Sequence, residues 1–71
     1  MSTTDVPIDG VIRLGQFLQV AGLIDSGADA KTVIGDGQVT VNDEVETRRG
    51  RQLQPGDVVV FAGRGARVTS E

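Results

Sequence analysis

No apolar run in this chain exceeds five residues (58–62), and ten glycines fall between the apolar segments. Glycine enters left-handed backbone at little steric cost and weakens helix and strand interiors, so a chain punctuated this often folds into short elements. A bilayer-spanning helix needs roughly 20 apolar residues in succession and is excluded. With 71 residues the chain makes one small domain, which buries only about 60% of the surface its unfolded form exposes. Nothing staples it, because the sequence contains neither cysteine nor histidine. Disulfides, the usual Cys/His zinc sites, and thiol or histidine catalysis are thereby excluded. Phosphate-cradling loops are missing too: Gly63-x-Gly65 lacks a third glycine and a following helix, and no Gly-Lys-Ser/Thr occurs. The expectation is a chain that is not an enzyme and needs no cofactor and no metal.

The punctuation gives an order of elements. Leu14, Phe17, Leu18 and Ala21 follow Ile12 at helical spacing, and Gly22 stops this first helix. Ser26 with Asp29 three residues on approximates a capping box for a second helix, whose apolar face is Ala28 or Ala30 with Val33 and Ile34. Gly35-Asp36-Gly37 ends it. The period then changes to alternation: Val39 and Val41, a turn at Asn42-Asp43, and Val45. Gln54-Pro55-Gly56-Asp57 reads as a type II turn, followed by a strand over 58–61, a tight connection at Gly63-Arg64-Gly65 and a terminal strand over 66–69. Residues 1–5 are polar, with neither a basic start nor an apolar core behind them, so no targeting signal is expected and they are assigned to a disordered tail. Residues 6–71 form the domain, with an edge strand at 6–8 that Pro7 tolerates only at an edge. The fold class is α+β: two short N-terminal helices packed on a small antiparallel sheet of about four strands.

Net charge is −3, which taken alone argues against a polyanionic partner. The distribution argues otherwise. Residues 1–30 and 31–47 each carry −3, whereas 48–71 carry +3 through Arg48, Arg49, Arg51, Arg64 and Arg67. Arg48-Arg49-Gly50-Arg51 puts three guanidinium groups within four residues. Like charges this close repel, and a phosphate backbone turns the repulsion into bidentate contacts. Ion pairing with Glu44 and Glu46 is the alternative, although alternation sends both of these to solvent; ligand contact is the preferred expectation. Lys31 shares a helical stripe with Gly27 and Gly35, and Gln38 follows its end, so a flat partner can approach bare backbone there. The alternative is that both glycines serve only to start and stop the helix. The two aromatic residues, Phe17 and Phe61, fall on core faces and leave no stacking platform, so backbone and shape recognition of structured RNA is the expected mode.

From residue 13 to residue 60 the chain resembles the RNA-binding domain named after small-subunit ribosomal protein S-four, with its αL motif. Arg13-Leu14 with Phe17-Leu18 is similar to that domain's opening helix. Gly22-Leu23, Ser26, Ala30-Lys31 and Ile34 are similar to its second, and Gly37-Gln38-Val39-Thr40-Val41-Asn42 with Pro55-Gly56-Asp57-Val58 to its strand and turn signatures. Glu46-Thr47 ahead of the arginines most resembles the small stand-alone YbcJ-like bacterial proteins. The resemblance implies binding of structured RNA, ribosomal or transfer RNA, with the ribosome or a ribonucleoprotein as the setting; the lack of a targeting signal and of a long apolar run sets the expectation of a cytoplasmic chain with no membrane partner, and a monomer is expected. It implies RNA contacts from Arg13, Lys31, Gln38, Arg48, Arg49 and Arg51. The chain departs from the family's pattern at Gly27, Asp36 and Asp43, which lowers the positive charge on the second helix. A competing expectation is therefore a protein-interaction module that kept the fold and lost most RNA affinity.

Overall fold

The computed structural model describes residues 3–71. Strand β1 (Thr3–Ile8) and the two-residue β2 (Ile12–Arg13) precede helix α1 (Leu14–Val20) and helix α2 (Gly27–Gly35). Strands β3 (Val39–Val41), β4 (Glu44–Val45), β5 (Gln52–Leu53), β6 (Val58–Phe61) and β7 (Arg64–Ser70) follow. Five strands form one sheet in the order β1-β7-β6-β3-β4, and β2 pairs with β5 in a separate antiparallel ribbon. The α+β class stands, with five strands in the main sheet where about four were expected.

Each helix ends where local chemistry demands. The Ser26 hydroxyl accepts the Asp29 N–H at 3.3 Å, capping α2. Past α1, Gly22 takes φ +74°, which lets the Leu23 N–H reach the Leu18 carbonyl at 2.9 Å and close the helix. Phe17, Leu14 and Leu18 of α1 and Ile34 of α2 are fully buried, and they meet Val39, Val41, Val59 and Val68 on one face of the sheet. Burying each such side chain contributes about 1.5–3 kcal/mol, so this single layer holds the domain together.

Three expectations change. Helix α1 begins at Leu14, because Ile12 and Arg13 pair instead with Leu53 and Gln52. The connection between β6 and β7 lies at Ala62-Gly63, both at positive φ, and Arg64 and Gly65 already belong to β7. The tail expected over 1–5 is corrected for residues 3–5, which form the start of β1 and pair in parallel with Gly65, Ala66 and Arg67; residues 1 and 2 lie outside the described residues. Thr3, Thr4 and Asp5 are exposed, so backbone pairing and an Asp5–Arg67 ion pair at 2.9 Å hold this stretch where no buried side chain does.

Asn42 joins two parts of the fold. It sits at φ +53° in the β3–β4 turn; its side-chain N–H donates to Asp57 at 3.1 Å, and its amide oxygen accepts the Val58 N–H at 3.0 Å. Asn42→Ala loses both bonds and an easily adopted left-handed residue, and is expected to cost about 1–2 kcal/mol in a thermal melt, with Asn42→Gly recovering only the backbone part. No helix among the described residues is long and apolar enough to cross a membrane.

Candidate nucleic-acid interface

The two-residue turn at Asn42-Asp43, with φ of +53° and +70°, matches the twist of a type I′ hairpin and fixes the register of β3 with β4. Thr40 pairs with Val45 and Val41 with Glu44. Cross-strand partners share a face, so Val45 lies with Thr40 on the outer face and is 62% exposed. Glu46 is opposite Val39, whose carbonyl accepts its N–H at 3.1 Å, and its side chain turns inward. The expectation that alternation sends Glu46 to solvent is corrected: it is 6% exposed, the one buried charged residue among the described residues.

A buried carboxylate needs partners, and the arginine loop supplies them. Arg48 donates its backbone N–H, Nε and Nη2 to Glu46, each at 3.1 Å, and Arg51 donates Nη1 at 3.0 Å. Hydrogen bonds from Arg48 lead the effects that lower the Glu46 carboxyl to a pKa of about 2, against partial opposition from burial. The pairing alternative thus holds for Glu46 with Arg48 and Arg51, and Glu44 takes no part.

The clamp fixes the rest of the loop against α1. The Arg51 carbonyl accepts the Leu14 N–H at 2.8 Å and the Arg49 carbonyl accepts the Gly15 N–H at 3.1 Å, satisfying two first-turn donors that the helix itself leaves free. Gly15 permits this approach: a Cβ there falls 2.6 Å from Arg49 Cγ. Gly15→Ala is therefore expected to displace the Arg49 stem, lowering stability by about 1 kcal/mol in a melt and weakening any ligand that uses Arg49.

Between the loop, α1 and the start of α2 lies an open groove of about 320 Å³ bordered by Arg13, Gln16, Gln19, Gly27, Arg49 and Gly50. Among the described residues, four of the six arginines have partners: Arg48 and Arg51 on Glu46, Arg67 on Asp5, and Arg64 on the Leu23 carbonyl. Arg13 and Arg49 are in no ion pair, and both border the groove. Of the residues expected from the sequence, these two are brought together. Arg48 flanks them with its side chain 77% exposed, while Arg51 is half-buried in the clamp. Lys31 is exposed one turn along α2 from Gly27. Gln38 is exposed beyond the other end of that helix, and about 12 Å of helix axis separates Gly27 from Gly35. Gln16 and Gln19 were not anticipated, although with Arg13 they form a polar stripe at a spacing of three on the first helical segment.

The fold and this groove define a small α+β domain with a one-sided cationic site. The model of the S4 domain, the S-four domain of the resemblance above, matches residues 7–69, and the chain belongs to that family. It is 50% identical over 56 residues to "Probable ribosome maturation protein RlbA" of Bacillus subtilis, covering 79% of each chain. It is 39% identical over 59 residues to YbcJ of Escherichia coli, covering 83% of this chain and 84% of that one. The solution structure of E. coli YbcJ, described as revealing an alfaL motif involved in RNA-binding, superposes with a TM-score of 0.68 at 36% identity over 99% of this chain and 89% of that chain.

Proposed function

We propose that this chain is a non-catalytic RNA-binding protein that grips the phosphate backbone of a structured RNA, of the ribosomal or transfer RNA class, in the cytoplasm. The observation that carries the reading is the pair of guanidinium groups, Arg13 and Arg49, that have no ion-pair partner among the described residues and border one groove beside the bare backbone of Gly27. Family membership and the RNA-related descriptions of YbcJ and RlbA support it. Arg48 and Lys31 extend the cationic face on either side, Arg51 serves mainly to hold the loop, and Gln38 meets RNA only if the ligand runs the length of α2. The chain acts as a monomer in the setting of the ribosome or a ribonucleoprotein.

Filter binding of purified ribosomal RNA tests the reading. With about three to five phosphate contacts, log K against log salt concentration is expected to fall with a slope near −2 to −4. A slope near zero, or no retained RNA at low salt, removes the proposal. The competing reading as a protein-interaction module rests on the other flank of α2, where half-buried Ile24, Val33 and Phe61 adjoin Asp25 and Asp29. A pull-down with and without RNase separates the two: partners that survive digestion favour the module, and partners lost with the RNA favour RNA binding.

A further inference from the structure

Phosphate contacts account for Arg13 and Arg49 but not for the rest of the groove. Its volume of about 320 Å³ lies at the small end of ligand sites, which run from about 300 to 1,000 Å³. Two primary amides, Gln16 and Gln19, border it, and each side chain has both donors and an acceptor. The Gln16 oxygen accepts only a long bond, 3.4 Å from the Arg13 N–H, and its NH2 group is in no hydrogen bond within the protein among the described residues. Gly27 is not demanded by packing. A Cβ there meets nothing nearer than Gln19 Oε1 at 3.8 Å, and its φ is not in the left-handed region. A side chain fits the fold at this position but would fill the groove. Gly50 is similarly bare, and a Cβ on it approaches Arg13 Nη1 at 3.4 Å, so its absence lets the guanidinium lie close along the loop.

Resting on the RNA reading above, we infer that the groove receives one unstacked nucleotide of the bound RNA, its base against a guanidinium plane of Arg13 or Arg49 and its edge on the Gln16 and Gln19 amides. Arginine planes substitute for aromatic rings in stacking extruded bases. Phe17 is fully buried and Phe61 borders the other flank of α2, so no aromatic ring competes for that role. The consequence is a preference for RNA with an unpaired nucleotide, a discrimination that backbone contacts alone do not give.

Magnetic-resonance titration of the full chain with each of the four ribonucleoside 5′-monophosphates, with ribose 5-phosphate as the comparison, tests this. The Gln16 and Gln19 side-chain amides and the Gly27 and Gly50 backbone amides are expected to shift saturably with at least one mononucleotide. Ribose 5-phosphate is expected to bind about fivefold or more weakly, in line with the usual worth of base stacking. Gly27→Leu is expected to abolish the response while melting no lower than the native chain, and Gln19→Ala to weaken it. Equal binding of ribose 5-phosphate, an unaltered response in Gly27→Leu, or no response at the groove overturns the inference. Ribosomal RNA binding by the native chain, measured alongside, separates the two failures: RNA bound without a groove response sinks only the nucleotide pocket, whereas no bound RNA sinks the reading beneath it.

Discussion

Glu46→Ala is expected to cost about 2 kcal/mol and to lower the melting temperature by roughly 10 °C, the largest single effect of any polar substitution in the domain. The carboxylate is buried and accepts four hydrogen bonds from Arg48 and Arg51. Removing one member of a fully buried pair costs about 3–5 kcal/mol because the remaining charge is stranded. Here the Arg48 side chain is 77% exposed and the Arg51 side chain 32%, so both regain water and the cost is smaller. Glu46→Gln keeps the shape but presents an NH2 group to the guanidinium groups, and should fall between native and alanine. Acid provides a second measure. The Glu46 pKa is depressed from 4.5 to about 2 in the folded chain, so its contribution is complete above pH 4.5 and is lost progressively as pH falls through about 2. Melts between pH 5 and pH 2 should therefore lose a component in the native chain that Glu46→Gln lacks. Because the same loop carries Arg49 into the groove, Glu46→Ala should also weaken RNA binding without deleting a single cation.

The Arg13→Ala/Arg49→Ala double substitution should do the reverse. Both residues are exposed and in no ion pair among the described residues, and the Arg49 carbonyl that caps α1 is unchanged, so stability should stay within about 0.5 kcal/mol. Affinity for ribosomal RNA at low salt should fall about tenfold for each arginine, the low end for hydrogen bonds to a charged group at an exposed site. The salt slope should become shallower by about 1.5. Arg48→Ala/Arg51→Ala removes the same charge but strands the Glu46 carboxylate, so its first effect should be on the melting temperature. Filter binding and thermal melts on the two pairs distinguish a binding arginine from a structural one.

That division of labour was only partly legible in the sequence. Ser26, Gly22, Asn42-Asp43 and Pro55-Gly56 announced themselves because each acts on its own few residues, through a hydroxyl cap, a positive φ or a fixed proline. Thr3 to Asp5 did not, since a strand held by its backbone ladder to β7 carries no apolar alternation. Glu46 was misjudged for a subtler reason: the two-residue turn sets the phase of β4, and shifting that phase by one residue exchanges Val45 and Glu46 between the faces. The pairing weighed for the arginines named both Glu44 and Glu46, which share that phase; Arg48 and Arg51 nevertheless pair with Glu46 alone, while Glu44, at the turn end of β4, is exposed. Gln16 and Gln19 became a wall of the groove only when the loop thirty residues on folded against α1, a proximity that no local pattern in the chain encodes.

Cross-linking the native chain to ribosomal RNA with ultraviolet light, followed by mass-spectrometric mapping of the attached nucleotides, tests the central claim most directly. Adducts are predicted on residues 13–19, 27–31 and 48–51, the three segments that surround the groove. Adducts confined to β1 and β7, or to the flank around Ile24, Val33 and Phe61, would contradict it.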